Sequence, residues 1–532
     1  MASPSVIIVG AGPVGLTTAL ALHQGGVPAS NILVVDQRPS RDLSSTWFKA
    51  ISASASSLEV FRLLGIAEPF MDVGLPLHRQ HFGAGSRFLD LSYDVLGTKY
   101  PFNLMIPQFR TEAILLQRCE EVGIAFAWGL QFVGLTQTGE QVSATFQRGE
   151  DETETIRSPW LVGCDGTRSA VRQAAGIGFE GTRATRYGWL ADGHADESAP
   201  TMVNVLSADV GTGRAMIIAT GDGKTGRRYF GTFPPSEIIA GQRPKPPDLD
   251  FLRDWAVRNF GSHYNFRDIT WASVVGDGMR IASSYRSGRV FVAGDSAHQL
   301  FPAGGQGMNT GLVDATNLAW KLALVVTGRI GPDREVVQRV LDSYSEERLP
   351  ASKAVKHNVQ IQQVSMFANT EGDRAVADFM AEAFEEPATN QRWARRICGF
   401  ADPVEPYQIS SGRLRRIEEL VGSRLTHISD SNSEDLLDAA KQNRFVVGLM
   451  AGSVFAEEQR HSLHEAVQSG GYFYKVRILR KLLKPTSQKW KGVSAVLIRP
   501  DFRVAWISRE DSSVRNNQDS FTRVLEWWFG GK

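Results

Sequence analysis

Short apolar runs alternate with a helical segment along the first part of the chain. Ser5–Val9 and Ile32–Val35 are rich in β-branched residues, a pattern typical of buried parallel strands. Pro13–Gln24 lies between them and predicts a helix, which completes a βαβ unit. Similar buried runs return at Trp160–Val162 and Arg289–Ala293. The pattern therefore predicts an α/β fold built on a parallel sheet.

A different pattern occupies the middle of the chain. Between residues 188 and 275, short alternating runs separated by Pro- and Gly-rich loops are typical of an antiparallel sheet. Leu75–Tyr93 alternates too, and we predict that its strands leave the first unit. The elements predicted within 188–275 are strands at Thr201–Asp209, Arg214–Thr220, Arg227–Phe233 and Thr270–Val275, and a helix at Asp250–Phe260.

Segments around this sheet have helical periodicity or predict a strand pair. Gln141–Phe146 and Thr155–Leu161 predict two strands joined by an acidic turn. The predicted helices are Ala50–Gly65, Thr111–Gly123, Met308–Thr327, Ser343–Ala368 and Arg374–Phe384.

The residues after a linker at Asp402–Pro406 predict a separate unit. Its element order is that of a thioredoxin-like domain. The chain has no C-x-x-C pair for dithiol exchange, so we expect this unit to support structure or a dimer. Its predicted elements are a strand at Phe445–Met450, a helix at Ser453–Ser469, a strand at Tyr472–Leu479, a hairpin of Val493–Ile498 with Arg503–Ile507, and a helix at Gln518–Phe529.

Composition narrows the class of protein. The 532 residues suffice for two or three domains. Lys and Arg number 58 against 57 Asp and Glu, so no overall charge attracts nucleic acid. The three cysteines, Cys119, Cys164 and Cys398, are far apart, which excludes a disulfide framework. Without a signal-peptide or membrane-spanning pattern, we expect a cytoplasmic protein that holds no metal.

The first motif is a glycine turn in the βαβ unit. Gly10, Gly12 and Gly15 have the spacing G-x-G-x-x-G, and Asp36 ends the second strand. The glycines allow a tight turn, close approach to a pyrophosphate and helix–strand packing, while the acid can bind a ribose. Many such turns bind nothing. Here strand, helix and acid all stand where the mechanism needs them, which favours a dinucleotide.

Two further acids follow predicted strands. Asp165 comes after Trp160–Val162, and Asp295 comes after Arg289–Ala293. Ligands of open α/β sheets bind where parallel strands end. The glycine-rich loop Pro302–Asn309 then leads into a helix whose amino end could face a flavin. Each feature alone could be an ordinary turn, but the three in this order indicate one binding edge.

With these motifs the sequence resembles the class A, single-component flavoprotein monooxygenases of the p-hydroxybenzoate hydroxylase fold. It is most similar to the phenol hydroxylase-like branch, which carries a thioredoxin-like C-terminal domain. The motifs that match are Gly10–Leu16, Pro107–Leu115, Cys164–Arg172, Gly294–Asn309 and Asp314–Lys321.

The resemblance implies FAD as cofactor and NADPH or NADH as co-substrate. In one place the chain departs from the family, because Lys49 stands where the family has an arginine, and lysine lacks the guanidinium fork. The cofactor-binding residues implied are Gly10, Gly12, Pro13, Val14, Gly15, Asp36, Gln37, Lys49, Ala50, Gln108, Asp165, Asp295, Pro302, Gly305, Gly307, Met308 and Asn309.

The resemblance also implies the reaction: NAD(P)H reduces FAD, O₂ adds to form a flavin C4a-hydroperoxide, and an aromatic ring, phenolic or polyketide-like, is hydroxylated. Pro302, Gly304, Gly305 and Lys49 are the residues implied at the reacting end. Alternatives are an epoxidation, a ring-opening or dearomatising oxygenation, or a flavin-binding protein without turnover. We expect no nucleic acid or membrane partner, and a homodimer is usual in the family.

Substrate contacts are predicted in the antiparallel region, where Arg or His could stabilise a phenolate and Tyr could bind a hydroxyl. Packing in the core or at the surface is the alternative for each residue. The candidates are His81, Arg228, Tyr229, Phe233, Trp271 and Tyr285.

These assignments divide the chain into three predicted domains. A discontinuous Rossmann-like FAD-binding domain comprises residues 1–74, 94–187 and 276–402. The inserted antiparallel substrate domain comprises 75–93 and 188–275, and the thioredoxin-like domain comprises 403–532.

Overall fold

The computed structural model describes residues 3–40, 50–84, 87–209, 212–220, 224–368, 370–401, 420–428, 433–451, 453 and 456–531. Lys49 and the predicted linker Asp402–Pro406 lie outside the described residues, and so does the side chain of His81.

Twenty-six strands are described in these ranges. They are β1 (Val6–Val9), β2 (Ile32–Asp36), β3 (Ser52–Ala53), β4 (Leu75–Leu77), β5 (Arg79–Ala84), β6 (Arg87–Ser92), β7 (Asn103–Met105), β8 (Ala125–Trp128), β9 (Gln131–Gln137), β10 (Val142–Arg148), β11 (Glu152–Ser158), β12 (Trp160–Gly163), β13 (Phe179–Gly181), β14 (Tyr187–His194), β15 (Met202–Leu206), β16 (Arg214–Ala219), β17 (Gly226–Thr232), β18 (Arg267–Gly276), β19 (Arg280–Ala282), β20 (Arg286–Ser287), β21 (Val290–Val292), β22 (His298–Gln299), β23 (Phe445–Leu449), β24 (Val476–Ile478), β25 (Val493–Ile498) and β26 (Val504–Arg509).

Thirteen α-helices accompany them in the same described ranges. They are α1 (Pro13–Gln24), α2 (Ala55–Leu63), α3 (Ala67–Val73), α4 (Gln108–Glu121), α5 (Ala170–Ala174), α6 (Leu249–Phe260), α7 (Gln306–Val326), α8 (Arg334–Phe367), α9 (Glu371–Ala383), α10 (Pro387–Ile397), α11 (Ser433–Lys441), α12 (Ala456–Ser469) and α13 (Val514–Phe529). None of these described helices combines the length and apolarity needed to cross a lipid bilayer.

The central sheet has the order β20-β21-β12-β1-β2-β8 and is parallel except at its β20 edge. Its strands are buried on both faces. Val6 and Ile8 of β1 pack in the cluster that includes α1 and α7, while Ile7 and Val9 pack against the β9–β11 sheet. Side chains alternate between the faces of a strand, so a run covered on both sides is apolar throughout. The predicted parallel sheet is confirmed.

The middle of the chain forms an antiparallel sheet with the order β15-β16-β17-β14-β18. One face carries Trp189 and Tyr229 and packs on α6 through Trp255. The opposite face carries Leu190 and Phe230 and borders a cleft described below. The predicted antiparallel class is therefore confirmed, and β14 is a central strand that the sequence pattern did not single out.

The strands of Leu75–Tyr93 do not pair with that sheet. β4 pairs with β7, which also pairs with β3, while β5 and β6 form a hairpin of their own. The helix predicted at Ala50–Gly65 begins later, because Ser52–Ala53 is a strand and α2 starts at Ala55. Extended backbone at these two residues lets β3 pair with β7 next to the cleft.

The C-terminal unit has a mixed sheet with the order β24-β23-β25-β26. β23 and β24 are parallel, whereas β25 is antiparallel to both of its neighbours. α12 and α13 pack together beside it. The predicted elements of this unit are present, although β24 is shorter than the predicted strand and α13 is longer than the predicted helix.

A buried charged cluster joins this unit to α7 and α8. The Arg499 guanidinium donates to both carboxylate oxygens of Glu347 at 2.8 and 2.9 Å and to Asp501 at 2.9 and 2.5 Å. Lys321 lies 3.1 Å from Glu347, and Asn317 donates to Glu347 at 2.7 Å. Burial lowers the pKa of Lys321 to about 8. Although burial alone would raise it, Arg499 and Lys321 hold the pKa of Glu347 below its usual range.

We predict that Arg499→Ala destabilises the protein by about 3–5 kcal/mol, because it leaves Glu347 and Asp501 as buried charges without their main partner. Trp320 and Trp528 flank the guanidinium at 5.1 and 5.5 Å, so tryptophan fluorescence during urea unfolding is a local probe. Arg118→Ala is the matched control, since Arg118 forms an exposed pair with Glu121, and it should cost less than about 0.5 kcal/mol. Equal effects of the two variants would contradict the assigned role.

Candidate active site

Four loops meet at one edge of the central sheet. They follow β1, β2, β12 and β21, which are neighbours and parallel, so their carboxyl ends share that edge. A cleft of about 1270 Å³ opens there. Gly12, Asp165 and Asp295, one from each of the three predicted motifs, all line it. The structure thus brings together motifs that are up to 283 residues apart in sequence (295 minus 12).

The glycine turn packs tightly on one side and is open on the other. Gly10 has φ +106°, and a Cβ there would lie 2.4 Å from the Cys164 carbonyl oxygen. A Cβ on Gly15 would lie 1.9 Å from the Gly10 carbonyl oxygen, which confines Gly15 to packing within the turn. A Cβ on Gly12 would meet nothing within 4 Å, since this residue faces the cleft. That open approach suits a bulky phosphate group.

Asp36 and Arg38 form the next part of the wall. Asp36 accepts from the Ala11 backbone N–H at 2.6 Å and from the Arg38 backbone N–H at 2.8 Å. The Arg38 guanidinium donates to Ala11 O at 2.7 Å and to Glu112 at 3.0 Å. Burial alone would lower the pKa of Arg38, but the neighbouring carboxylates of Asp36 and Glu112 raise this pKa above its usual value. Sequence reasoning missed Arg38, although it stands only two residues after the acid.

The two later acids differ in role. Asp165 accepts from Ser169 Oγ at 2.5 Å, from Ser296 Oγ at 3.0 Å and from the Val171 N–H at 3.0 Å, so its carboxylate holds two loops together. Asp295 is exposed to the cleft and accepts only a long 3.5 Å bond from Thr167 within the described part of the chain. Asp295 is thus the carboxylate available to a ligand, while Asp165 and Ser296 position it.

The glycine-rich loop before α7 enters the cleft through backbone that only glycine adopts easily. Gly304 and Gly305 have φ +68° and +64°, in the left-handed region. Their turn directs the first residues of α7, Gly307 and Met308, to the cleft. The unpaired N–H groups and the dipole of this helix end favour negative charge beside it. Pro302 is exposed at the start of the loop.

Asn309 fastens this helix start to its neighbours and does not line the cleft. Its side chain accepts from the Ser54 N–H at 2.8 Å and Ser57 Oγ at 2.6 Å, and donates to the Ser52 and Gly305 carbonyls at 3.2 and 2.6 Å. The side-chain amide is therefore fully used within the protein and supports the helix start, and the predicted cofactor contact of Asn309 stays a prediction for its backbone.

A buried acid, Asp314, fixes α7 to its neighbours. Asp314 accepts from Arg348 at 2.7 Å, from the Gly294 N–H at 3.2 Å, and pairs with His298 at 2.9 Å. Although burial alone would raise it, Arg348 and His298 lower the pKa of Asp314. The Asp295 loop, α7 and α8 are therefore fixed to one another behind the cleft.

Gln108 closes the cleft on the β2 side. Its side-chain oxygen accepts from the Ala50 N–H at 3.2 Å, and its amide nitrogen donates to Glu112 at 2.8 Å. Gln37, Ala50 and Gln108 all line the cleft, as do Gly10, Pro13 and Val14. Apart from Lys49, which is not described, the predicted cofactor residues that do not line it are Gly15 and Asn309.

Beyond the loop Pro302–Gly305 the cleft continues as a chamber against the antiparallel sheet. Its wall is mostly apolar, with Arg214 as a buried cation. Arg214 donates to Asn204 Oδ1 at 3.2 Å and to Ser365 O at 3.1 Å, and burial lowers its pKa to about 10. The guanidinium therefore stays charged at neutral pH. The chamber residues are Leu190, Met202, Asn204, Arg214, Met216, Ile218, Arg228, Phe230, Gln362, Ser365 and Met366.

Arg228 is the predicted substrate contact that reaches this chamber. Its guanidinium pairs with Asp192 through two bonds of 2.7 Å and stacks over Trp271 at 5.2 Å. Tyr229 faces the other side of the sheet, where it stacks on Phe266 at 4.1 Å. Adjacent strand residues point to opposite faces, so both could not line one chamber.

Three other predicted substrate contacts are corrected by their packing, whereas the side chain of His81 lies outside the described residues and its contact stays a prediction. Phe233 packs with the α6 side of the sheet, and Trp271 lies beneath Arg228 without lining the cleft. Tyr285 is buried in the main core and donates to Ser352 Oγ at 2.6 Å. Sequence reasoning instead missed Arg214 as a chamber residue, because it stands in a strand without any motif.

Comparison with known proteins identifies the class. Residues 3–359 match the FAD binding domain family, and residues 418–531 match the aromatic-ring hydroxylase C-terminal family. A Bacillus subtilis (strain 168) protein named as an uncharacterized aromatic compound monooxygenase, YhjG, is 30% identical over 534 residues, which cover 98% of this chain and 97% of that one.

A rifampicin monooxygenase of Streptomyces venezuelae is 29% identical and covers 98% of both chains. The solved structure of CabE, an aromatic hydroxylase from angucycline biosynthesis, matches all of both chains with TM-score 0.77 and 29% identity. The chain therefore belongs to the FAD-binding aromatic-ring hydroxylases, and it is an FAD-dependent aromatic monooxygenase. The family expected from the sequence motifs is confirmed.

The cleft fits FAD. The open side of Gly12 suits the pyrophosphate, Asp36 lies where a ribose would be bound, and the exposed Asp295 carboxylate can accept ribityl hydroxyls. The amino end of α7, at Gly307 and Met308, suits the electron-poor edge of the ring.

We predict that Gly12→Ala and Gly15→Ala fail in different ways. Gly12→Ala should unfold at the wild-type temperature as apoprotein but bind FAD at least about tenfold more weakly, because its Cβ meets only the ligand. Gly15→Ala should lose about 1–3 kcal/mol of stability even without FAD, because its Cβ overlaps Gly10 O. Thermal unfolding of the apoproteins and FAD titration separate the two; identical behaviour would contradict these roles.

We predict that Asp295→Ala weakens FAD binding by about 10- to 100-fold, the effect of losing hydrogen bonds to a charged acceptor. The residue is exposed, so apoprotein stability should not change. Flavin retention after gel filtration and a fluorescence titration measure the effect. Asp151→Ala, an exposed aspartate in the β10–β11 turn, is the control, and unchanged affinity in Asp295→Ala would refute the assignment.

Proposed function

We propose that this monooxygenase hydroxylates polycyclic, phenolic, polyketide-like compounds with NADPH or NADH as reductant. The observation that carries the proposal is the apolar chamber with its buried Arg214, which opens directly onto the Pro302–Gly305 loop. When bound, FAD supplies the redox and oxygen-activating chemistry. The chain supplies orientation, exclusion of water and charge.

Arg214 has the clearest task toward the substrate. A phenol becomes a better nucleophile when its hydroxyl ionises, and a buried cation stabilises the resulting oxyanion. Apolar walls formed by Leu190, Met216 and Phe230 hold a flat ring system and exclude water. The backbone at Gly304 and Gly305 borders the place where ring and flavin would meet.

The names of two relatives support the substrate class. Rifampicin and angucyclines are the compounds in the names of the Streptomyces venezuelae enzyme and of CabE, both of which cover nearly the whole chain. The proposed domain division remains residues 1–74, 94–187 and 276–402 for FAD, 75–93 and 188–275 for substrate, and 403–532 as a thioredoxin-like unit. The strand order β24-β23-β25-β26 supports the last assignment.

The quaternary and cellular assignments are proposals as well. We propose a homodimer in the cytoplasm, consistent with the near-neutral charge balance and the three unpaired cysteines. Size-exclusion chromatography with light scattering tests the dimer.

A screen tests the proposed function. Purified protein reconstituted with FAD is given hydroxylated naphthalenes and anthraquinones, and NADPH or NADH oxidation is followed together with ¹⁸O₂ incorporation. Stimulated oxidation with oxygen in the product supports hydroxylation. Bound flavin without stimulated turnover would indicate a flavin-binding protein, and an epoxide or ring-opened product would indicate the related oxygenations.

We predict that Arg214→Gln lowers kcat/KM for an active phenol and moves its pH profile toward higher pH, because the oxyanion loses its cation. A loss of about 10- to 100-fold is expected. Arg214→Lys keeps the charge and should retain the wild-type pH midpoint. Arg253→Gln on α6, across the same sheet, is the control and should change neither quantity. An unshifted pH profile in Arg214→Gln would count against phenolate stabilisation.

A further inference from the structure

Three side-chain amides connect the glycine-rich loop to α8. Gln306 Nε2 donates to the Ala303 carbonyl at 3.4 Å, Asn358 Nδ2 donates to Gln306 Oε1 at 3.0 Å, and Gln362 Nε2 donates to Asn358 Oδ1 at 3.1 Å. All three amides are buried. They form one directed chain from the loop to the chamber.

The direction of this chain is fixed by its first member. The Ala303 carbonyl can only accept, so Gln306 must present its nitrogen to it and its oxygen to Asn358. Asn358 must then present its nitrogen to Gln306 and its oxygen to Gln362. Gln362 is left with its nitrogen in the chain and its oxygen, Oε1, outside it. Rotating any one amide would place two donors or two acceptors in contact.

Gln362 Oε1, the oxygen left outside the amide chain, lies beside the glycine-rich loop at Gly304. Gln362 lines the cleft, and a Cβ on Gly304 would lie 2.9 Å from Gln362 Oε1. No donor among the residues that the structure describes bonds to this oxygen, although the residue is 97% buried. Because Gln362 lines the cleft, this oxygen can pair with a bound ligand.

We propose that Gln362 Oε1 accepts a hydrogen bond from a substrate hydroxyl other than the one that ionises beside Arg214, and so selects free phenols over their ethers at that position. This inference rests on the proposed function. Arg214 can only donate and therefore binds any ring oxygen, whether hydroxyl, oxyanion or ether. The Gln362 oxygen, Oε1, can only accept and therefore requires an O–H group on the ligand. Together, Arg214 binds acceptor oxygens of the substrate and Gln362 binds a hydroxyl that donates.

A pair of probes isolates the acceptor. 2-Hydroxyanthraquinone and 2-methoxyanthraquinone both offer a quinone carbonyl oxygen to Arg214, but only the first, at a pH that keeps its hydroxyl protonated, can donate to Gln362. Calorimetric titration of the FAD-loaded protein should show the hydroxyl probe bound about tenfold more tightly. In Gln362→Leu the ratio should fall to within about twofold with wild-type FAD content, and the thermal midpoint should fall as far as in Asn358→Leu or less, because Asn358 Oδ1 loses its donor.

Three further variants make the test specific. Gln362→Glu keeps an acceptor at the cleft but loses the donor to Asn358 Oδ1, so it should recover the preference for the hydroxyl probe only in part. Asn358→Leu removes the partner that orients Gln362, so the preference should fall between those of the wild type and Gln362→Leu. Gln363→Leu is the control, because Gln363 donates instead to the Asp277 carbonyl, outside the cleft, and its preference should match that of the wild type.

The outcomes separate this inference from the proposed function. If both probes bind and the ratio is unchanged in Gln362→Leu, or if the wild type shows no preference, the role of Gln362 is refuted while the phenolic substrate class stands. If neither probe binds to the wild type, the proposed substrate class itself fails, and this inference fails with it.

Discussion

The binding site depends on one geometric constraint, the shared carboxyl edge of neighbouring parallel strands. β21, β12, β1 and β2 lie side by side, so the loops after them must meet. Asp165 holds two of these loops together by accepting a hydrogen bond from Ser296 of the next loop. Asp36 does the same by accepting a hydrogen bond from the Ala11 N–H. Two of the acids that sequence motifs assign to a cofactor therefore also hold the loops in place. All three line the cleft, but Asp295 is the one that is largely exposed.

The long helix α7 connects this edge of the sheet to the rest of the chain. Its amino end faces the cleft, Asn309 and Asp314 fasten its first turns, and Asn317 and Lys321 near its middle join the buried cluster of Glu347, Arg499 and Asp501. The C-terminal unit, which has no C-x-x-C pair, is thereby joined to the helix that follows the Pro302–Gly305 loop. Removing buried charges from water is costly, so such a cluster persists only when it is fully paired.

The chamber beyond the Pro302–Gly305 loop has apolar walls, and two of its polar side chains are of opposite character. Arg214 brings positive charge from the antiparallel sheet, and Gln362 brings a carbonyl oxygen from α8. Apolar walls give affinity for flat rings without much selectivity, whereas a buried donor or acceptor penalises any ligand that fails to pair with it. Choice among aromatic substrates would then rest on these two side chains more than on the shape of the walls.

The sequence by itself determined the βαβ start, the two later acid turns and the glycine loop, because strand and helix periods and glycine spacing are local properties. Those motifs were enough for the family, and most of the cofactor residues that they predicted line the cleft. The tertiary structure alone decided on which side of the sheet each strand residue lies. Tyr229 lies on the α6 side, Arg228 lies on the chamber side, and Tyr285 is buried in the core. It also brought Arg214 and Gln362 together from residues 148 apart (362 minus 214), because chamber walls are assembled by packing between elements and leave no local pattern in the chain.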